Sequence, residues 1–281
     1  MKNFSEIILN LQNFWQSQGC SILQSFDMNV GAGTLAPSTL INVLKYSEKY
    51  NACYVQYCRR PADGRFAKNS NRNSSYYQMQ VILNPIPTQI QEICKESMKA
   101  IGLDIENGEV KFLEDNWKNP SIGASGIGYE MWFNGMEVLQ FTYMQKLGGI
   151  DLKQPVCELT YGLERLAMYI QGCSSIFDIK WDDNLKYSDI HSVSSEQDMC
   201  YYYQVYNKDS DLIYQNFENY IQNAKNLTEE EKLMPALELC LKASHSLNVL
   251  DARNLLSQNI RQEMILKVRS VVKEVVLLIN C

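Results

Sequence analysis

The sequence predicts an α+β fold in which an antiparallel β-sheet flanked by helices is followed by an all-helical C-terminal domain. Two pairs of segments rich in Tyr, Val and Ile are each joined by a loop or turn, as in antiparallel strand pairs. Amphipathic helical patterns lie before and between these pairs. After about residue 195 only helical patterns remain. We therefore divide the chain into a first domain, residues 1–194, and a helical domain, residues 195–281.

The chain begins with a predicted amphipathic helix. Apolar residues recur at helical spacing over residues 4–18, and Gly19 follows as a stop signal. A short strand is expected at Ser21–Phe26. Glycines and a proline in the segment Gly31–Pro37 then interrupt regular structure.

The first strand pair is predicted at residues 53–60 and 76–83. A long polar loop, Pro61–Ser75, joins the two strands. Long loops between strands often carry function. This loop carries three cationic side chains, Arg65, Lys68 and Arg72.

A helix and a second hairpin follow. Thr88 and Gln91 have the spacing of a capping box before a helical pattern that ends at Gly102. Two aromatic-rich runs within residues 129–145 flank Asn134-Gly135, the dipeptide typical of a two-residue type I′ turn. A tight β-hairpin is therefore expected at this turn.

The remaining predicted elements are helices. Residues 160–171 place their apolar side chains on one helical face, and Gly172 follows as a terminator. Further along the chain, Thr228 and Glu231 are spaced as a capping box. Asp251 is predicted to cap the last helix.

Composition indicates a folded protein and narrows its class. The 281 residues leave room for two domains, and 46% hydrophobic with 21% charged residues is ordinary for a globular chain. No apolar run approaches the ~20 residues needed to span a bilayer. Without a CxxC pair or a signal-like N-terminus, we expect a cytoplasmic protein with reduced thiols. The nine cysteines are residues 20, 53, 58, 94, 157, 173, 200, 240 and 281.

The charge of the chain argues against tight binding of a long nucleic acid by this chain alone. Its net charge is -6, with an isoelectric point near 5.1. Proteins that bind nucleic acid through phosphate contacts need cationic surfaces. If RNA is a substrate, another chain is expected to make much of the contact.

Common catalytic arrangements are missing from the sequence. The histidines, His191 and His245, are interpreted as surface or structural residues because neither lies near a Gly-rich elbow or a spaced metal-ligand cluster. No P-loop or Rossmann signature is found either. Arginine, carboxylate and amide side chains on predicted strands remain. Such a set suits adenylation, in which a substrate carboxylate attacks the α-phosphorus of ATP and the protein supplies positioning and charge.

Several stretches in one order resemble a known family. They resemble motifs 2 and 3 of class II aminoacyl-tRNA synthetases and, almost end to end, the alpha subunit of bacterial glycyl-tRNA synthetase. Four such stretches within about 110 residues are more specific than any one of them alone. The stretches are Arg59–Arg65 with Tyr76–Gln80, Glu114–Trp117, Asn134–Gln140 and Tyr161–Gly172.

The resemblance implies an enzyme, a glycine–tRNA ligase. It would use ATP and Mg²⁺ to activate glycine as its adenylate and then transfer glycine to tRNA(Gly). Residues 1–194 would be the class II catalytic domain. The resemblance also implies a homodimer formed through the N-terminal helix and residues 31–37. A separate beta subunit would complete an α2β2 heterotetramer and provide most of the tRNA recognition.

By the same resemblance, arginines bind the phosphates of ATP. Arg59 or Arg60 is the motif 2 arginine for the α-phosphate and the amino acid carboxylate, and strand alternation lets only one point inward. We favour Arg60 and expect the other in a surface ion pair. Arg165 would contact the terminal phosphate, with Glu164 serving structure. Arg72 would close over the nucleotide, the alternative being a solvated loop arginine.

Alternate residues of the second strand form a polar face. Tyr76, Gln78 and Gln80 share this face and Tyr77 lies on the other. Tyr76 is expected to stack on adenine, while the two glutamines hydrogen-bond the substrates. One of the two tyrosines is expected to pack in the core instead.

Glu137 and Gln140 correspond, by the resemblance, to the class II pair that holds the ATP-bridging Mg²⁺. Mg²⁺ prefers oxygen ligands and keeps substrate phosphates in its shell. Residues three apart on a regular strand point to opposite faces. The pair therefore needs a bulge or a strong twist, or one of the two is not a ligand.

Comparison with the alanyl-tRNA synthetase site, which this region also resembles, implies a glycine pocket. Glu158 would bind the substrate ammonium group, Trp117 would form a wall and Thr160 would fill space; Gln78 and Gln80 would complete the pocket. Glycine can be selected only by excluding larger side chains, and one methylene is worth ~1–3 kcal/mol. The alternative for Trp117 is a core position.

Two other readings stay open at the level of sequence. One is a class II-like paralogue that adenylates a small acid without tRNA, as biotin ligase and ammonia-dependent asparagine synthetase relatives do. The other is a regulatory paralogue that has lost activity, although Arg59, Arg60 and Arg165 are all present. Glycine-dependent exchange of pyrophosphate with ATP separates these readings.

Overall fold

The computed structural model describes residues 1–280, and Cys281 lies outside the described residues. The helices are α1 Phe4–Ser17, α2 Pro37–Leu40, α3 Asn42–Lys45, α4 Ile90–Ala100, α5 Leu163–Gln171, α6 Tyr187–Ile190, α7 Val193–Gln204, α8 Ser210–Glu229, α9 Leu233–Ala252 and α10 Gln258–Leu277. The strands are β1 Ser21–Ile22, β2 Tyr50–Arg59, β3 Ser75–Asn84, β4 Val110–Glu114, β5 Trp117–Asn119, β6 Ala124–Phe133, β7 Met136–Leu147 and β8 Ile150–Gly162. Short 3₁₀ turns lie at Gly33–Leu35, Ile176–Asp178 and Leu278–Asn280.

The strands form one mixed sheet in the order β1-β2-β3-β8-β7-β6-β4, with β5 also paired to β6. Every pairing is antiparallel except that of the two-residue strand β1 with β2. The α+β fold with helices flanking a largely antiparallel sheet is therefore confirmed. The strand expected at Ser21–Phe26 is shorter than predicted, since it ends at Ile22.

Both predicted strand pairs are present. β2 and β3 pair in register from Tyr50 opposite Asn84 to Arg59 opposite Ser75, so a 15-residue loop, residues 60–74, joins them. β6 and β7 meet at Asn134-Gly135, where φ is 47° and 80°. Positive φ at both central residues is what a type I′ turn requires, and asparagine and glycine tolerate it best.

One face of the sheet is covered by α1, α4 and α5. Phe4, Ile7, Leu11 and Trp15 of α1 are fully buried, which follows from their helical spacing. They pack with apolar side chains at alternate positions of β3 and β8. The sheet residues of this cluster include Met79, Val81, Leu83, Cys157, Leu159 and Tyr161.

The opposite face has two parts. At one end, Ile82, Val156 and Met144 pack with buried side chains of α8, α9 and α10 in a second apolar cluster. At the other end the sheet carries polar side chains and is open. The proposed division at residue 195 falls within α7 and stays a prediction.

Three predicted helix caps are wrong. The first cap position of α4 is Gln89, without a side-chain cap, so Thr88 lies outside the helix. Thr228 lies inside α8, where its hydroxyl donates to the Ala224 carbonyl. Asp251 lies in the last turn of α9, and Ser257 caps α10 instead. The helices α8 and α9 continue past these local signals, whereas α4 begins one residue later than its signal predicts.

The helix predicted at residues 160–171 begins only at Leu163. Thr160 remains on β8, paired with Gln80 and Gln140, because strand pairing on both sides outweighs the local helical pattern. The eight cysteines that the structure describes are free thiols, and all but Cys173 are buried. Over residues 1–280, the helices are too short or too polar to cross a membrane.

Candidate active site

A cleft of about 290 Å³ opens on the polar part of the sheet, above β3, β8 and β7. Strand alternation places every second side chain of each strand on this face. Eight of the twelve predicted site residues line the cleft. They are Arg60, Arg72, Tyr76, Gln78, Glu137, Gln140, Thr160 and Arg165.

The adjacent arginines at the end of β2 point to different places. The Arg60 guanidinium enters the cleft, where Nε donates to the Gly31 carbonyl at 2.8 Å and the group lies 5.1 Å from the Tyr76 ring centroid. The Arg59 guanidinium lies 5.5 Å from the ring of Tyr57 and lines a separate cavity of about 180 Å³. Of the two candidates, Arg60 is thus the one that reaches the cleft.

The polar face of β3 borders the cleft. Gln78 accepts a hydrogen bond from the Gly33 amide at 3.1 Å, and its own amide donates to the Tyr76 hydroxyl at 3.2 Å. Tyr77 faces the other way and packs against Phe4 of α1. The strand therefore places Tyr76 at the cleft and Tyr77 in the core.

Beneath the cleft, Glu158 belongs to a buried polar network. Its carboxylate accepts hydrogen bonds from the Gln80 amide and the Thr34 hydroxyl. Thr160 Oγ1 donates to Gln80 Oε1 at 3.1 Å and connects the network to the cleft wall. Burial raises the pKa of Glu158 to about 7, although the two hydrogen bonds oppose this rise. A buried carboxylate of this kind is stabilised by a cation.

Glu164 and Arg165, neighbours at the start of α5, have different environments. Arg165 extends into the cleft and pairs with the Glu137 carboxylate at 2.9 Å. Glu164 is 3% exposed and accepts from the Tyr77 amide at 2.8 Å and the Tyr187 hydroxyl at 2.9 Å. Burial raises the pKa of Glu164 to about 7, and these bonds lower it. Glu164 thus joins α5 to β3 and α6.

A β-bulge brings Glu137 and Gln140 to the same cleft. Trp132 of β6 pairs with Glu137, but the preceding residue, Met131, pairs with Leu139. Val138 is therefore the extra residue on β7. One extra residue reverses the facing of the side chains beyond it. A bulge, one of the alternatives that the spacing of these two residues left open, is therefore present.

The donor set at the bulge fits Mg²⁺ shared with a nucleotide. Gln140 Nε2 donates to Asp115 Oδ2 at 2.8 Å, which leaves its amide oxygen for another partner. A carboxylate and an amide oxygen suit Mg²⁺, which usually takes one or two protein ligands plus phosphates. Within residues 1–280, no three His, Cys, Asp or Glu side chains are grouped to hold an ion by themselves.

Two predicted residues lie elsewhere. Trp117 is on β5 and packs against the apolar cluster shared with the C-terminal helices, outside the lining of the cleft. Arg59 faces the second cavity, as described above. Both assignments therefore rest on the resemblance alone.

Three site residues escaped sequence reasoning. Thr34 contacts Glu158 across 124 positions of chain, and Asp115 contacts Gln140 across 25. Asp115 lies in the stretch Glu114–Trp117 quoted above, but neither residue was given a role. Asn73 lines the cleft at 6% exposure, and its Oδ1 has no hydrogen-bond partner in the part of the chain that the structure describes. A run of polar residues at the end of a loop was the available signal.

The histidines both lie outside the lining of the cleft. His191 Nε2 is 3.0 Å from the Tyr77 hydroxyl, and its ring stacks on Tyr57. His245 packs against Tyr203, where burial and then Arg59 lower its pKa to about 4. Their surroundings are those of structural residues.

Comparison with known proteins adds one broad match. A family model described as "Glycyl-tRNA synthetase alpha subunit" matches residues 4–279. Two solved structures of pyrrolysyl-tRNA synthetase from Desulfitobacterium hafniense are similar at 11% identity, with TM-scores of 0.43 and 0.46. Each match covers 65% of this chain, and 74% and 75% of the respective solved chains.

Proposed function

The chain belongs to the glycyl-tRNA synthetase alpha subunit family, of class II aminoacyl-tRNA ligases, and from this premise we propose what its cleft does. It uses ATP and Mg²⁺ to activate glycine as glycyl-adenylate and, with a beta subunit, transfers glycine to tRNA(Gly). The observation that carries the proposal is the meeting of Arg60 and Arg165 in one cleft above the Glu158 network.

Adenylation needs positioned charge more than proton transfer. A carboxylate oxygen of glycine attacks the α-phosphorus of ATP, the bond to the bridging oxygen breaks, and pyrophosphate leaves with both electrons. Arg60 neutralises charge that develops on the α-phosphate, since its planar fork binds oxygens in pairs and stays charged. Arg165 binds the terminal phosphate of ATP, and Arg72 approaches the nucleotide from the exposed loop. Tyr76 offers its ring to the adenine.

Glu137 and Gln140 are the residues proposed to hold Mg²⁺. Mg²⁺ held by these residues would supply positive charge that offsets the negative charge of the phosphates. The Arg165–Glu137 ion pair keeps the carboxylate at the edge of the cleft. Gln140 is held by its bond to Asp115, so its carbonyl oxygen has one orientation.

Glycine recognition is assigned to the buried network. The Glu158 carboxylate accepts hydrogen bonds from the substrate ammonium group. The ammonium group supplies the positive counter-charge that this buried carboxylate otherwise lacks. Gln78 and Gln80 orient the backbone atoms of glycine, and the Thr160 methyl group occupies space that a larger substrate side chain needs. Trp117 remains a proposed wall on the strength of the resemblance.

We also propose the assembly and location that the family resemblance implied. The alpha chains form a homodimer, and the beta subunit completes an α2β2 tetramer and makes most tRNA contacts. The net charge of -6 agrees with delegation of tRNA binding. The location is cytoplasmic.

Exchange of labelled pyrophosphate into ATP tests the proposed activation step. We expect exchange that depends on glycine, measured with the alpha chain alone and with its beta subunit. Exchange driven by a different small acid would replace glycine as the substrate. If neither preparation exchanges pyrophosphate with any amino acid, the conclusion would be that the chain binds its ligands without activating them.

A further inference from the structure

The loop of residues 60–74, here named the arginine loop, joins β2 to β3 and borders the cleft. Its middle is exposed, while its ends carry Arg60 and Asn73 into the cleft lining. A loop of this length without helix or strand has many conformations unless other contacts restrain it. Such contacts decide where its arginines lie.

The end of the loop next to β3 is held by Glu196 of α7. The carboxylate of Glu196 accepts from the Ser74 amide and from the Ser74 hydroxyl, each at 2.8 Å. Glu196 is 8% exposed, so water competes little for these bonds. Hydrogen bonds to an ionised group are about twice as strong as neutral ones.

The beginning of the loop is held by the same helix. Gln204 Nε2 donates to the carbonyls of Pro61 at 3.0 Å and Gly64 at 2.9 Å. The Cys200 sulfur accepts from the Phe66 amide at 3.3 Å, and its thiol donates to the Glu196 carboxylate at 3.2 Å. Two separate parts of the loop are therefore tied to α7.

The loop backbone at Gly64 lies so close to α7 side chains that a larger residue would have to displace one of them. A Cβ placed there would collide with the Cys200 sulfur and would lie 3.1 Å from Glu196 Oε1. Glycine therefore suits the close approach of the loop backbone to the α7 side chains.

The three α7 residues share one helical face. Glu196, Cys200 and Gln204 follow each other at intervals of four, so they lie along one side of the helix. This side bridges the start and the end of the arginine loop. None of the three lines the cleft, so α7 acts on it only through the loop.

We propose that Glu196 is a positioning residue for ATP. Through Ser74 it holds the arginine loop in the arrangement in which Arg60 and Arg72 face the nucleotide. The inference rests on the proposed adenylation function, and it adds a role for the helical C-terminal segment in binding ATP.

Variants of Glu196 test the proposal by separating the two substrates. We expect E196A to raise the KM for ATP about tenfold, as loss of bonds to a charged group predicts, with the KM for glycine within about twofold of wild type. E196Q keeps one acceptor oxygen and should fall between wild type and E196A. The matched control E218A removes another hydrogen-bonded carboxylate from the C-terminal helices, that of Glu218 with Lys267, and should leave both KM values unchanged.

A merely structural role gives a different pattern. Equal rises in both KM values, or a lower kcat with both KM values unchanged, would overturn the proposal. If E196A fails to fold, Q204A tests the other end of the loop, because it removes two bonds to Pro61 and Gly64 without leaving a buried charge. It should also raise the KM for ATP selectively.

Limited trypsin digestion reports on the loop without any activity. Arg65, Lys68 and Arg72 are exposed in the loop and are trypsin sites. We expect faster cleavage at these residues in E196A than in wild type or E218A, with protection by ATP restored only at higher ATP concentration. Unchanged cleavage in E196A would overturn the proposal.

The two proposals can fail separately. If wild type shows no exchange with glycine or any other acid, the adenylation proposal falls, and calorimetric titration of ATP into wild type and E196A then decides whether Glu196 affects ATP binding. If exchange is normal but E196A binds ATP like wild type, only the role of Glu196 falls.

Discussion

The two faces of β3 and β8 differ in a way that separates structure from chemistry. On one face, Met79, Val81 and Tyr161 are fully buried against helices. On the other, the intervening residues Gln78 and Thr160 line the cleft. The backbone alternates between these faces residue by residue, so neighbours in sequence have unrelated tasks.

This alternation teaches that adjacent residues of one motif need not share a role. Tyr76 reaches the cleft while Tyr77 packs in the core. At the end of β2, Arg60 enters the cleft while Arg59 lies over Tyr57. Variants of adjacent residues therefore test the comparison directly.

The largest expected effect is at Arg60. R60A should reduce kcat/KM for exchange by about 10²–10³-fold, the usual result of removing one group that stabilises transition-state charge. Steady-state exchange at varied ATP and glycine measures it.

The matched variant is R59A on the neighbouring residue. It removes the contact with the Tyr57 ring and should change exchange by less than about tenfold, because Arg59 lies outside the cleft lining. A loss in R59A as large as that in R60A would end the assignment by strand face.

Glu158 should show the next largest effect. E158Q should raise the KM for glycine by about 30-fold or more, since it removes the proposed counter-charge of the substrate ammonium group from a buried site. The KM for ATP should change much less. Both constants come from the same exchange assay.

The pKa of Glu158 adds a pH dependence of known sign. Burial raises this pKa to about 7, so in the free protein the carboxyl becomes neutral below pH 7 and is ionised above it. The kcat/KM for glycine should therefore fall as pH decreases below about 7 in wild type, and E158Q should lose this slope. Burial raises the pKa of Glu164 to a similar value. E164Q is therefore the control, and it should keep the pH dependence of wild type.

A smaller effect is expected at Thr160. T160G should raise adenylation of alanine relative to glycine by about tenfold, since one methylene is worth ~1–3 kcal/mol in a pocket. T160V keeps the bulk and removes only the hydroxyl that donates to Gln80, so it should keep the wild-type ratio. An unchanged ratio in T160G would remove Thr160 from selectivity.

Sequence reasoning reached the fold because the signals were local. Helical spacing in α1 and the Asn134-Gly135 turn each need only neighbouring residues. The alternation on β3 also separated Tyr76 from Tyr77 in advance. Where a second strand pairs with the segment, as at Thr160, local pattern predicted a helix and was wrong.

The site was harder because its contacts cross the chain. The spacing of Glu137 and Gln140 left open a bulge, a strong twist or a single ligand, and only the pairing with β6 shows the bulge, at Val138. The bond from Glu196 to Ser74 joins positions 122 residues apart. Neither Glu196 nor Ser74 belongs to a recognised motif, so the sequence alone predicted no role for either residue.

The smallest expected effect on activity is on the core face. Tyr161 hydroxyl accepts from Trp15 Nε1 at 3.1 Å and lies 2.9 Å from Ser97 Oγ. Y161F leaves the indole N–H buried without a partner, which costs about 1–3 kcal/mol in free energy of unfolding. Exchange per folded molecule should match wild type. Urea unfolding followed by exchange on the same preparation measures both quantities.

A tyrosine whose hydroxyl makes an exposed hydrogen bond provides the control for that change. The hydroxyl of the half-buried Tyr169 accepts an exposed hydrogen bond from Asn134 Nδ2 at 2.7 Å, so Y169F should change the free energy of unfolding by only about 0.5 kcal/mol or less. If Y161F lowered the kcat of folded protein as R60A does, the two faces would be coupled. The division between a face that stabilises and a face that reacts would then fail at the strand where it is best defined.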